Sequence, residues 1–171
     1  GETIIHELEA PLEEGTLAEG VIDWQKRYDN MQQHTGEHIF SGLVHKHFGY
    51  DNVGFHMGTD EVTVDFNGVL TQEQLEDEAN QLIYDNVPVH VFYPSEEELA
   101  QLDYRSKKEL TGAVRIVEIP GGDICACCGT HVETTGEVGI IKLRTMINYK
   151  GGVRISMLCG RRALVDYRER L

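Results

Sequence analysis

The sequence predicts an α+β fold, an antiparallel sheet with helices packed on one face. Three observations carry this reading. Residues 61–66 alternate, with Val62, Val64 and Phe66 on one side as in a half-buried strand. Ile39, Phe40, Leu43 and Val44 recur at helical spacing and form a core-facing stripe. Two strand-like runs, 138–147 and 153–159, flank Asn148-Tyr149-Lys150-Gly151-Gly152 and read as a hairpin.

The elements follow in order. Residues 3–8 and 20–24 read as strands, with Pro11, Glu13, Glu14 and Gly15 as the turn. Two strands bury too little to be a domain, so residues 1–24 are expected to be an extra sheet edge or the tail of a neighbouring barrel. A long helix follows; Asn30 with Gln33 fits a capping pattern and Gly49 ends the helix. Residues 52–58 form a glycine-bracketed loop. Thr71-Gln72-Glu73-Gln74 is a capping box opening a helix through about Asn86, its inner face formed by Leu75, Ala79, Leu82 and Ile83. Residues 87–93 read as a strand, 95–102 as a short capped helix, and 114–119 as a strand ending at Pro120-Gly121-Gly122. Gly160 breaks the last strand, and residues 161–171 begin a helix that stops mid-pattern, as if cut. The expected organisation is a barrel-like fragment over 1–24, the main domain over 25–160 and the start of a C-terminal extension over 161–171.

A chain of 171 residues suffices for one well-cored domain, or one domain and part of another. Its apolar runs fall short of the roughly 20 residues of a membrane helix, and its first residues lack the order of a secretion signal. Four cysteines, three of them at 125, 127 and 128, suit metal binding in a reducing cytoplasm better than a disulfide framework. The net charge of −14 argues against a nucleic-acid partner until its distribution is considered. From residue 142 onward eight cations (Lys142, Arg144, Lys150, Arg154, Arg161, Arg162, Arg168 and Arg170) stand against Asp166 and Glu169. That is a balance of +6, so the first 141 residues carry −20. Such asymmetry suits a local basic surface that meets phosphates; a helix end complementing its own dipole and acidic neighbours accounts for it as well.

The chemistry concentrates in two stretches. In Gln33-His34-Thr35-Gly36-Glu37-His38 two histidines four apart on a helix can reach one ion. Cys127-Cys128-Gly129-Thr130-His131 supplies a thiolate and a third imidazole. Three imidazoles and a sulfur suit Zn2+. Four closed ligands would make the metal structural, and three with an open position would make it catalytic; the sequence leaves both readings open. His-x-x-Glu-His is also the signature of inverted-motif metallopeptidases, with Glu37 as the base that activates water. Cys127 and His131 stand where those enzymes are expected to place a carboxylate, and a thiolate weakens a Lewis acid.

Gln-Gln-His-Thr-Gly-Glu-His, Phe-His-Met-Gly, Cys-Cys-Gly-Thr-His-Val, Thr-Gly-Glu-Val-Gly-Ile-Ile-Lys, Gly-Gly-Val-Arg-Ile and Cys-Gly-Arg-Arg-Ala-Leu occur in this order. Over about residues 20–165 the chain resembles the editing domain shared by alanyl- and threonyl-tRNA synthetases, and most nearly the free-standing AlaX-type alanyl-tRNA editing proteins. Gly129-Thr130 before His131 favours the alanyl branch. The resemblance implies His34, His38, Cys127 and His131 as zinc ligands, the fold of that editing domain, and hydrolysis of tRNA(Ala) mischarged with serine, with glycine as a second substrate. The implied partner is the 3′ end and acceptor stem of that tRNA, in the cytoplasm and away from membranes; nothing in the sequence signals an oligomeric state.

An alanine pocket cannot exclude glycine by size and rejects an added hydroxyl weakly, which is why a second hydrolytic site is needed. His56 and Thr35 are candidates for hydroxyl recognition or water orientation. A loop histidine bonded to a backbone carbonyl is the simpler account of His56. Glu37 is either the base or a residue orienting Thr35 or a ligand histidine, and Gln33 is a further supporting candidate or a solvated polar residue. Gly151 and Gly152 permit close approach of the terminal adenosine, though a plain hairpin turn explains them too. Lys142, Arg144, Lys150, Arg154, Arg161 and Arg162, with Lys107 and Lys108, are the expected phosphate contacts. Two other readings stand beside the free-standing hydrolase: an editing segment of a full synthetase, and a non-catalytic tRNA-binding module with structural zinc.

Overall fold

The computed structural model describes residues 3–70, 73–106 and 112–171. Its centre is the helix α1, Trp24–Phe48. Asp23 caps the first turn, its side chain accepting from the Lys26 N–H at 3.1 Å. Gly49 closes the last turn in the left-handed region and donates to the His45 carbonyl at 2.8 Å. The helix is therefore capped at Asp23, not at Asn30 as the capping pattern suggested. Ile39, Phe40, Leu43 and Val44 are wholly buried, as the stripe predicts, and each contributes roughly 1.5–3 kcal/mol by leaving water.

Two antiparallel sheets lie against α1, where one was expected. The first has four strands: β1 Asn52–Met57, β2 Val62–Phe66, β6 Ile141–Tyr149 and β7 Gly152–Cys159, in the order β1-β2-β7-β6. The second has three, β3 His90–Phe92, β4 Ile116–Ile119 and β5 Asp123–Ala126, in sequence order. The first presents Val62, Val64, Phe66, Val153, Ile155 and Met157 to the core. The helix touches β1 and β7 on one sheet and β5 on the other. Gly42 makes the second contact close: a Cβ there would run into the Gly122 carbonyl and Asp123.

Around this frame stand α2 Glu73–Asp85, α3 Glu96–Gln101 and α4 Gly160–Glu169. Ser95 and Glu98 form the capping box of α3; the one expected at Thr71 lies outside the described residues. A 3-10 turn, Thr135–Val138, leads into β6. The hairpin between β6 and β7 closes on Lys150 and Gly151, both with positive φ, the tight turn its sequence predicted.

Two further expectations fail. The segments 3–8 and 20–24 are not strands: residues 3–22 lie outside helix and strand and are exposed, and helix begins at Trp24. A strand is held by a neighbour's N–H and C=O groups, and no described strand pairs with this segment. Residues 52–57 are the strand β1 rather than a loop; Gly54 sits at a register irregularity opposite Asp65 rather than at a break. The chain after Gly121-Gly122 is β5, so the cysteine cluster begins inside a sheet.

Candidate metal centre

Side by side, α1 and β5 bring the two chemical stretches together. His34, Thr35 and His38 come from the middle of α1, and the Cys127–His131 loop leaves the end of β5. Arg115 holds that loop by donating from one Nη to the carbonyls of Cys127 and Gly129, at 2.7 and 2.9 Å. Gly129 lies against His34, where a Cβ would overlap the ring. The donor atoms of His34, His38, Cys127 and His131 all lie within 4.8 Å of one another. Cys127 Sγ is 3.5 Å from His34 Nε2 and accepts the Gly129 N–H at 3.4 Å. The rings of His34 and His131 stack at 4.2 Å, and His38 stands edge-on to both.

Each imidazole is held by its far nitrogen. His34 Nδ1–H donates to the Thr130 carbonyl at 3.1 Å, and His38 Nδ1–H to Asp123 at 2.9 Å. His131 Nδ1 is 3.1 Å from the Thr35 hydroxyl, whose oxygen also accepts the Val132 N–H. Nε2 of each ring is thereby turned toward Sγ, and His131 Nε2 is buried without a hydrogen-bond partner. A buried nitrogen lone pair left bare is costly unless something occupies it. That atom, a sulfur and two further ring nitrogens fit a divalent ion.

The electrostatics agree. Burial pushes the Cys127 thiol up, yet the surrounding imidazoles of His131, His34 and His38 outweigh it and bring the group down to about 3, a thiolate at neutral pH. Burial opposes charge on His38, but Asp123, Cys127 and the nearby Glu37 carboxylate raise it to about 9. His131, desolvated and beside two other imidazoles, falls to about 4.

The other expected site residues divide. Thr35 is fully buried and engaged with His131, so it orients that ring. Glu37 is buried beside the centre, accepting from Ser41 and Asn52 at 2.5 Å each. Gln33 is not solvated; its amide donates to the Cys159 carbonyl and accepts the Cys159 N–H, each at 2.8 Å, tying α1 to the end of β7. His56 is not brought to the ligands. Phe55 and Met57 share the core face of β1 with Val64 and Val62, so His56 points outward, and the Phe55 ring stacks on His34 at 6.0 Å.

Most of the expected phosphate contacts already have partners. Lys142 pairs with Glu76, Arg144 with Asp166, Arg154 with Asp65 and Arg161 with Asp29. Arg162 donates to the Gly58 carbonyl and Asn30, and Lys150 stands over Tyr149 at the hairpin tip. Gly151 makes the turn; Gly152 is needed because the Phe66 carbonyl lies where its Cβ would be. Lys107 and Lys108 lie outside the described residues.

Sequence reasoning missed Asp123, Arg105, Arg115 and Phe55. Asp123 accepts from His38 and, on both oxygens, from Arg105 at 2.7 and 2.8 Å. The approach of α1 to β5 selects Asp123 and Arg105, and that of β1 to α1 selects Phe55.

The comparisons with known proteins place this architecture. Residues 114–156 match the family described as the threonyl and alanyl tRNA synthetase second additional domain. The chain is 36% identical over 162 residues to the alanyl-tRNA editing protein AlaX-L of Pyrococcus horikoshii, covering 91% of this chain and 40% of that one. It is 35% identical to AlaX-M of Methanosarcina acetivorans, covering 80% of this chain and 60% of that protein. An alanine–tRNA ligase of Ignicoccus hospitalis is 33% identical over 95% of this chain and 19% of its own length. The chain thus spans about two-fifths of the first of these relatives.

Proposed function

We propose, from the premise that this chain is a homologue of the alanyl-tRNA editing proteins over most of its length, that it hydrolyses the aminoacyl ester of mischarged tRNA(Ala), chiefly seryl-tRNA(Ala) and also glycyl-tRNA(Ala), at a zinc site. The observation that carries the reading is the arrangement of donors: three rings anchored by Nδ1, a thiolate among them, and a buried Nε2 with no other partner. His34, His38, Cys127 and His131 would hold the ion. Zinc bound there would supply Lewis acidity toward the ester carbonyl or water, or a point of attachment for the substrate's amino or hydroxyl group.

The chain's own residues do the rest. An aminoacyl ester is already activated, so holding the carbonyl, orienting water and stabilising developing negative charge suffice. His38 is the deepest of the four ligands, and His34, Cys127 and His131 are partly open, so the substrate approaches from their side. The Phe55 ring covers His34 and keeps that edge dry. Thr35 holds His131, and Glu37 adds a buried negative charge near His38. Lys142, Arg144, Lys150, Arg154, Arg161 and Arg162 bind the acceptor end by exchanging or sharing their carboxylate partners with phosphates, in the cytoplasm.

The ligase match supports a second reading, in which the same chemistry belongs to a full synthetase. Four protein donors support a third, a tRNA-binding module with closed, structural zinc. Deacylation separates the third from the other two: the metal-replete chain should release serine from seryl-tRNA(Ala) and spare alanyl-tRNA(Ala). Equal loss of both esters, or of neither, defeats the hydrolase reading. A gene product with an upstream activation domain would select the synthetase.

A further inference from the structure

Two sets of metal donors overlap at His38. One is His34, His38, Cys127 and His131; the other is His38, Asp123 and Cys125, all buried, again with donor atoms within 4.8 Å of one another. The sets meet on one ring. Nδ1 faces Asp123 at 2.9 Å, which leaves Nε2 for the first set. An imidazole, a carboxylate and a thiolate are competent ligands for a divalent ion. The stretch Asp123-Ile124-Cys125-Ala126-Cys127 therefore carries a competitor to the centre it serves.

Arg105 sits on that competitor. Its Nε and one Nη donate to the two Asp123 oxygens at 2.7 and 2.8 Å, and its side chain is 10% exposed. Its backbone is pinned too: the N–H donates to the Ile124 carbonyl at 2.8 Å, and the carbonyl accepts the Ala126 N–H at 2.9 Å. The Arg105 backbone is thus held beside Cys125 by an isolated parallel bridge, and the guanidinium reaches from it to Asp123. With both carboxylate oxygens already accepting from Arg105, an ion that approached Asp123 would have to displace a fixed cation or meet its repulsion.

We propose that Arg105 is a positioning residue that fixes Asp123 as the acceptor of His38 Nδ1 and so denies an incoming ion the His38/Asp123/Cys125 donor set, leaving a centre of one ion and one thiolate. The inference rests on the metal reading of the four-residue site. It adds that the uniqueness of that site is enforced by a residue that is not itself a ligand.

The test uses the metal-free full chain titrated with Co2+, whose thiolate charge-transfer absorption counts sulfur ligands. The unmodified chain should take one equivalent with the intensity of one sulfur. Arg105→Met should take more than one equivalent, or show about twice the sulfur intensity, and adding Cys125→Ser should return both to the single-ion values. Arg105→Lys, which keeps the charge but frees one carboxylate oxygen, should show a smaller rise and serves if the methionine variant fails to fold. Stoichiometry and sulfur intensity unchanged in the folded Arg105 variants would overturn the proposal, as would a rise that survives Cys125→Ser. An unmodified chain that takes no cobalt would overturn the metal reading itself, and the lock with it.

Discussion

Two arginine–aspartate pairs in this molecule have the same bond lengths and different consequences. Arg105 and Asp123 meet through two bonds of 2.7 and 2.8 Å beside the metal centre; Arg154 and Asp65 meet through two bonds of 2.7 and 2.8 Å on the outer face of the four-stranded sheet. The first pair is 10% and 2% exposed, the second 36% and 14%. Burial makes the difference. In the interior a carboxylate without its cation is costly, and the same carboxylate still has His38 to hold. Near the surface, water and salt screen the pair, and the Arg154 guanidinium, stacked 3.9 Å over Tyr149, can take a new anion at little cost. One geometry thus fixes an imidazole, and the other leaves a guanidinium able to exchange its partner.

The strongest way to break this comparison is to remove the sulfur of the donor cluster that the inner pair adjoins. Cys127→Ala should lose bound metal on gel filtration and lower the deacylation rate more than about 100-fold, beyond the usual cost of losing an outer support. Metal retained at one equivalent would mean the donors are misassigned.

Next comes pH. In the metal-free chain Cys127 (about 3) is a thiolate and His131 (about 4) is neutral at pH 7, while His38 (about 9) carries a proton that an ion must displace. Affinity should therefore rise about tenfold per pH unit between pH 6 and 8 and level off above about 9. Calorimetry in buffers of different ionisation enthalpy should count about one proton released per ion. Without metal the sign reverses for stability. The His38 contribution, raised from 6.5, is complete below that value and fades as pH rises through about 9.

The pairs themselves can be set against each other. Asp123→Asn should weaken metal binding by about 10- to 100-fold and destabilise the fold by roughly 3–5 kcal/mol, the cost of opening a buried pair. Asp65→Asn should leave metal affinity unchanged. Denaturant melts and a zinc-indicator competition read both variants; equal effects would remove the distinction drawn here. The smallest expected effect lies at the surface. Lys150→Ala should reduce the slope of log affinity for tRNA against log salt by about 1, and Asp65→Asn, by freeing Arg154, should raise it by a similar amount.

Much of the centre was legible before any fold was known, because helical spacing is local information: four residues is one turn, so His34 and His38 had to share a face. The capped helix from Ser95 and the hairpin at Gly151 were legible for the same reason. Parity was harder. Whether His56 or Phe55 faces α1 depends on residues 52–57 being a strand, and the bracketing glycines disguised it. Gln33 has the right spacing to look supportive, yet its partner is the backbone of a residue 126 positions away. The cations from Lys142 onward read as an open basic surface, since nothing local reveals that Glu76, Asp29, Asp65 and Asp166 wait beside them.

By itself the sequence determined which atoms this protein can offer: three imidazoles and a thiolate in two short motifs, whose spacing within each motif is set by covalent geometry and helical pitch. Tertiary structure alone decided which nitrogen of each ring is bonded away and which is presented, and which of two overlapping donor sets remains open. Those choices depend on Thr130, Asp123, Thr35 and Arg105 arriving from separate elements, and only packing of α1 between two sheets fixes distances between groups so far apart along the chain.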